Sequence, residues 1–193
     1  GAFESSNVLV IHAVHVDDDD IKKLREYNVS ICTCARSNAQ LGMGIAPLGA
    51  FLRAGLNVGF GTDSPAATES IDMISEMRMS MLIQRAFDTR RFLDSSTVLE
   101  LATIGARALG IDDKVGSLEI GKCADLIAVD LSSSYQTPDA DPVSAVVNTC
   151  SSSDVLMTMV DGKTLYEKNQ WHVDVDVAKN IARVIEIRAK LRV

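Results

Sequence analysis

Val58-Gly59-Phe60-Gly61-Thr62-Asp63-Ser64-Pro65 is the stretch from which the rest of the chain can be read. A short apolar run climbs to Phe60. Gly61 lets the backbone bend or pack closely. Asp63 then stands at the end, with Ser64-Pro65 closing the strand behind it. A carboxylate at the tip of a buried strand is costly unless a charged or hydrogen-bonding group faces it. A metal, a substrate or a structural donor would each serve.

Working upstream, Val8-Leu9-Val10-Ile11 is an unbroken aliphatic run that ends at His12, which suits a strand buried on both faces. Asp17 to Asp20 follow, then Ile21 and Leu24. Asp17 or Asp18 can cap a helix here, and the other acids favour its positive end. Four consecutive residues cannot converge on one ion, so the run reads as a solvated helix start. Asn28 ends that helix. Val29 to Cys34 form a second strand, on which Cys32 and Cys34 face one way and Thr33 the other. Ala35 to Gly44 read as a polar, glycine-bearing loop. Pro47 opens a helix that runs to about Ala54 and stops at Gly55. Asn57 to Gly61 form the third strand. Strand and helix therefore alternate, which predicts right-handed crossovers and a parallel sheet. His12, Arg36-Ser37-Asn38 and Asp63 fall at the C-terminal ends of its strands, where α/β folds bind ligands.

Downstream, a helix is predicted from about Ser70 to Phe87, with Ile71, Ile74, Met77, Met81 and Leu82 at helical spacing. Glu69 reads as a charge at its start, and Glu76 and Arg78 as surface or structural pairs. Met73 and Met79 read as packing. Thr97-Val98-Leu99-Glu100 has the capping-box pattern, opening a helix to Leu109 that Gly110 stops. Gly116 to Lys122 is turn-rich and Ala124 to Asp130 a strand. Ser132 to Pro142 is a polar loop. Asp154 to Val160 and Lys163 to Tyr166 form a hairpin through Asp161-Gly162, a favoured two-residue turn. Asp176 to Leu191 is an amphipathic helix with Val177, Ile181, Val184, Ile185 and Leu191 on one face.

The 193 residues are 47% hydrophobic and 23% charged, enough for one good core with a small satellite. A net charge of −7 leaves no basic face for nucleic acid. No apolar run approaches the ~18 residues of a membrane span. The opening Gly1 to Asn7 lacks the pattern of a secretory leader. Its missing Met reads as a chain processed, tagged or cut from something longer. Cys32, Cys34, Cys123 and Cys150 read as free thiols in a reducing, cytoplasmic setting. His15 reads as a loop residue and His172 as a surface one.

Taken in order, the motifs resemble the C-terminal half of an amidohydrolase-superfamily enzyme. They are Ile11-His12-Ala13-Val14-His15, Arg36-Ser37-Asn38 with Leu41-Gly42-Met43-Gly44-Ile45-Ala46-Pro47, and Gly61-Thr62-Asp63-Ser64-Pro65. Further on come Asp72-Met73 with Glu76-Met77-Arg78, Ala102 to Gly110, Gly116 to Leu126, and Met159-Val160-Asp161-Gly162-Lys163. The likeness is to the cytosine-deaminase-like aminohydrolases. That group includes methylthioadenosine/S-adenosylhomocysteine deaminases, aminofutalosine deaminases and chlorohydrolase relatives. It implies the last three βα units of a (β/α)8 barrel in residues 1–112, part of a β-sandwich in 113–170 and a C-terminal helix in 171–193.

The same resemblance implies one divalent metal, zinc in most of the family, with Asp63 as a ligand. His12 is implied to contact the attacking water or the substrate. Arg36, Asn38 and Ser64 join His12 as candidates on the substrate side. The implied activity is hydrolytic deamination of a purine-like heterocycle. Another C–N or C–Cl hydrolysis and a non-catalytic half-barrel module are the alternatives. The HxH pair and the further His that complete the family's metal site do not occur in these residues, since His12 and His15 are spaced by two. Three strands also cannot close a barrel of ~250 residues. The reading therefore assigns this chain half of a site, inactive alone, with the missing N-terminal half or a second copy as partner.

Overall fold

The computed structural model describes residues 2–4, 7–90, 92–132 and 141–191. After a 3-10 turn at Ala2–Glu4, strand β1 (Leu9–Ile11) leads to helix α1 (Asp18–Glu26) and strand β2 (Ser30–Thr33). Helices α2 (Ala35–Gln40) and α3 (Leu48–Arg53) precede strand β3 (Asn57–Phe60). The three strands form a parallel sheet in the order β1-β2-β3. Asp17 caps α1 by accepting from the Asp19 and Asp20 amides, with Asp20 reaching back to Asp17 N–H. Gly55, at φ 70°, turns the chain out of α3.

Pairing puts Val10, Ile31 and Val58 side by side on one face of the sheet. That face is the core. Ile31, Val58, Phe51 of α3 and Met81 are almost wholly inaccessible to water. Each such side chain contributes roughly 1.5–3 kcal/mol by burial. Ile11, Cys32 and Gly59 share the opposite face. There Ile11 is 54% exposed, so the expectation of a first strand buried on both sides is corrected.

Helix α4 (Pro65–Thr68) and helix α5 (Met73–Phe87) follow β3. The helix expected from about Ser70 to Phe87 is α5, which begins at Met73, and α4 is a further short helix ahead of it. Glu69 adopts φ 61° as the left-handed end of α4, and Asp72 caps α5 through Ser75 N–H. Ile74, Met77 and Met81 are buried as expected, but Ile71 and Leu82 are exposed. Helix α6 (Ser95–Thr103) is capped by Asp94, which accepts from Thr97 N–H, so Thr97 lies inside the first turn instead of capping it. The chain breaks at Ile104 into helix α7 (Gly105–Ala108). The break lets Gly105 approach β3, where a Cβ on Gly59 would lie 3.0 Å from Gly105 Cα.

A second, antiparallel sheet has the order β4-β5-β6-β7, from Leu126–Val129, Val155–Val160, Lys163–Glu167 and Gln170–Trp171. Asp161 and Gly162, both at positive φ, make the β5–β6 turn. Helix α8 (Pro142–Asn148) comes before β5 and starts where the sequence reading ended a loop, with Asp141 as its cap. The rest of that loop, 133–140, lies outside the described residues. Helix α9 (Val177–Leu191) ends the chain. Its row of Val177, Ile181, Val184, Ile185 and Leu191 is exposed throughout. No helix among the described residues is long and apolar enough to cross a membrane.

Candidate functional site

The site forms where β1, β2 and β3 end. His12 follows β1 directly. Its N–H donates to Cys32 carbonyl at 2.8 Å, and Ala13 N–H donates back to Ile11 carbonyl at 2.9 Å. That closes a three-residue turn with His12 at φ 70° in its centre and Ala13 at 47°. This form of the γ-turn is strained and uncommon. Asp63 lies three residues past β3, again at positive φ, 59°. Non-glycine residues held in this region gather at functional sites, where the surroundings over-determine them.

These two turns bring His12 Nε2 to 3.9 Å from Asp63 Oδ2, with both side chains about one-third open to solvent. Ser37 Oγ donates to Asp63 Oδ2 and Ser64 N–H donates to Asp63 Oδ1, each at 2.6 Å. The Ser37 bond, then the Ser64 amide, then His12 hold the Asp63 carboxyl below its ordinary pKa, against partial desolvation. Asp63 is therefore a carboxylate across the neutral range. His12 Nδ1 meets Asn38 Oδ1 at 2.9 Å.

Ser37 and Asn38 are both buried on α2, the segment that was expected to be loop. The physical reason for this helix lies elsewhere in the chain. Cys34, its N-cap residue, offers no side-chain bond. Glu76 of α5 supplies it, accepting from Arg36 N–H at 3.3 Å. A carboxylate at a helix N-terminus satisfies its free amides and suits its dipole. Glu76 is wholly buried, so of the two readings, surface or structural, the structural one holds. Burial raises its pKa, partly offset by the amides of Arg36 and Ala35. Arg78 spans instead to the end of α8 and the chain just after it, donating to the carbonyls of Val147 and Cys150.

Of the other candidates, the Arg36 guanidinium donates to Thr68 and Ser70 carbonyls and to Ser70 Oγ, bracing the α4–α5 connection. Ser64 is exposed beside Asp63. Ser37 is the site residue that sequence pattern alone leaves without a role; its signal is its place one residue before Asn38 at a strand end. Cys32 and Cys34 are free and flank Gly61. The neighbouring Cys32 thiol and burial push the Cys34 thiol up, so Cys34 stays protonated.

Asp63 oxygen and His12 nitrogen are both donor types that zinc accepts. A catalytic zinc usually takes three protein donors. Among the described residues no group of three or more His, Cys, Asp and Glu side chains converges as a metal site. The donors present thus fit part of a zinc site.

The family model described as "Amidohydrolase family" matches residues 1–165. The chain belongs to the amidohydrolase family. Over 194 aligned residues it is 36% identical to a 5-methylthioadenosine/S-adenosylhomocysteine deaminase of Symbiobacterium thermophilum, covering 99% of this chain and 44% of that protein. An S-triazine hydrolase of Gordonia rubripertincta is 38% identical over 160 residues, 82% of this chain and 34% of that one. Among solved structures, an adenosine deaminase from Xanthomonas campestris with bound zinc superposes with a TM-score of 0.90 at 32% identity. That match covers 95% of this chain and 42% of the other. This amidohydrolase chain spans less than half the length of the relatives it matches.

Proposed function

We propose that the complete enzyme is a hydrolytic deaminase that uses one divalent metal, zinc, to release ammonia from a purine-like heterocycle. In this reading β1, β2 and β3 with their helices are the last three units of a (β/α)8 barrel. The antiparallel sheet is then the C-terminal part of a small β-sandwich, with divisions at 1–112, 113–170 and 171–193. The observation that carries the reading is the meeting of Asp63 and His12 at the open ends of parallel strands. Alignment of nearly the whole chain with deaminases supports it. The free thiols of Cys32, Cys34 and Cys123 fit a reducing, cytoplasmic enzyme.

Bound zinc supplies Lewis acidity, which makes water a nucleophile near neutral pH. Asp63 would hold the metal and, staying ionised, can also accept a proton from the attacking water. Ser37 and Ser64 fix its two oxygens, so the carboxylate needs no reorganisation as the proton moves. His12 Nε2 faces the same space and can hold a proton or orient and stabilise the tetrahedral centre that attack would form. Ser64, exposed at the mouth, is the side chain here best placed to touch the substrate. Arg36 and Asn38 serve the substrate side through the loop and the ring they hold. The remaining donors come from polypeptide outside these residues, the N-terminal half or a second copy. That partner would also cover the exposed Ile11, Ile127 and α9 row.

The test supplies the complete enzyme with 5′-methylthioadenosine, S-adenosylhomocysteine, adenosine and an s-triazine. Ammonia release and metal content are measured together. Turnover of a purine nucleoside and one metal per chain are expected, both lost in Asp63→Ala. Full metal content and full turnover in Asp63→Ala would sink the proposal. The likeness to an S-triazine hydrolase favours a second reading, another C–N or C–Cl hydrolysis. Turnover of the triazine alone would select it.

A further inference from the structure

Behind α2 lies a cavity with about 20 Å³ of space open to the centre of a water molecule. It is lined by Thr33, Asn38, Ser80 and Gln84 among apolar neighbours. Gln84 is satisfied, donating to Ala46 carbonyl and accepting from Gly49 N–H. Thr33 Oγ1, Asn38 Nδ2 and Ser80 Oγ are different. All three are buried, and none has a hydrogen-bond partner among the described residues. Ser80 stands near enough to the Glu76 carboxyl to favour its charged form, yet makes no well-formed hydrogen bond to it. Leaving a buried polar group unpaired costs about 1–3 kcal/mol. Three such groups around one small cavity are rarely left without a partner. A cavity of roughly 10–15 Å³ on this measure accepts one water, and buried waters make about three hydrogen bonds.

We propose that this cavity binds one ordered water, bonded to Thr33 Oγ1, Ser80 Oγ and Asn38 Nδ2, and that Asn38 so held is a positioning residue for His12. The proposal rests on the reading that His12 acts in the site. Asn38 is the link between two sides of the strand layer. It lines the cavity together with Thr33 of β2, its Nδ2 is buried without a partner among the described residues, and its Oδ1 meets His12 Nδ1. With its amide nitrogen tied to the water, Asn38 keeps its carbonyl oxygen toward the ring. The His12 nitrogen facing it must then carry the hydrogen. Nε2 is left with its lone pair on the Asp63 side, in the form that can take up a proton. The two hydroxyls would thus set the tautomer of a ring that neither touches.

The experiment uses the complete, metal-loaded enzyme. Diffraction to about 1.5 Å should show a water within hydrogen-bond range of all three atoms. Nitrogen-15 NMR of labelled histidine should report the Nδ1–H tautomer for His12. Thr33→Val with Ser80→Ala should remove the water and broaden or shift the His12 signals. It should also lower kcat about tenfold while KM and metal content hold. A dry cavity overturns the proposal, as does the opposite tautomer, or unchanged NMR and kcat after loss of the water. If the double variant does not fold, the diffraction and tautomer results on the unaltered enzyme still decide. Failure of the deaminase reading would appear separately, as turnover and metal that survive Asp63→Ala.

Discussion

Replacing Gly61 by alanine tests how β2 and β3 fit together beneath the site. The φ of Gly61 lies outside the left-handed region, so the demand for glycine is one of space. A Cβ there would stand 2.7 Å from Cys32 Sγ and 3.3 Å from Cys34 Sγ. The first distance is shorter than real Cβ contacts allow. Gly61 N–H is tied to Thr33 carbonyl at 2.9 Å, so the backbone cannot simply retreat. Relief must come from a changed Cys32 rotamer or a shift of β3. Overpacking of this kind costs roughly 1–3 kcal/mol. In a domain of this size each kcal/mol lowers Tm by about 2–4 °C. Removing the sulfur should remove most of the clash, so Gly61→Ala should cost much less in a Cys32→Ala background. Urea unfolding of the four proteins in the cycle measures the coupling, expected at about 1 kcal/mol or more. A cost for Gly61→Ala below about 0.5 kcal/mol, or one unchanged by Cys32→Ala, would refute the packing argument.

Two carboxyls should change stability with pH in opposite directions. Arg90, with Arg53, holds Asp88 below the usual carboxylate range. Its stabilisation is therefore present above the ordinary Asp value of about 3.9 and lost as pH falls through the lowered one. Asp88→Asn should be less stable than the parent at pH 7, with the gap closing in acid; a gap that persists at the lowest pH would contradict this. Glu76 is raised by burial, so the fold loses stability as pH climbs from about 4.3, the ordinary Glu value, through the raised one. Glu76→Gln keeps an acceptor for Arg36 N–H and should gain on the parent as pH rises across that window. Parallel curves for the two proteins in chemical denaturation from pH 3 to 8 would count against a raised Glu76.

The sequence by itself determined the alternation of strands and helices, the parallel sheet and the places of His12 and Asp63 at strand ends. It also determined the Asp161-Gly162 hairpin and a helix opened by Asp17 or Asp18, of which the structure selects Asp17. Each of these depends on neighbours within a few residues, through side-chain period, capping or turn chemistry. Only the tertiary structure decided that Ala35–Gln40 is a helix, because its N-terminus is satisfied by Glu76, 40 residues from Arg36. It alone buried Glu76, for which local pattern leaves a surface and a structural role equally open. It alone joined Ser37 to Asp63 and Asn38 to His12, pairs 26 residues apart. No local pattern encodes such bonds. They exist because parallel crossovers carry successive strand ends to the same edge of the sheet, where side chains distant in sequence become neighbours.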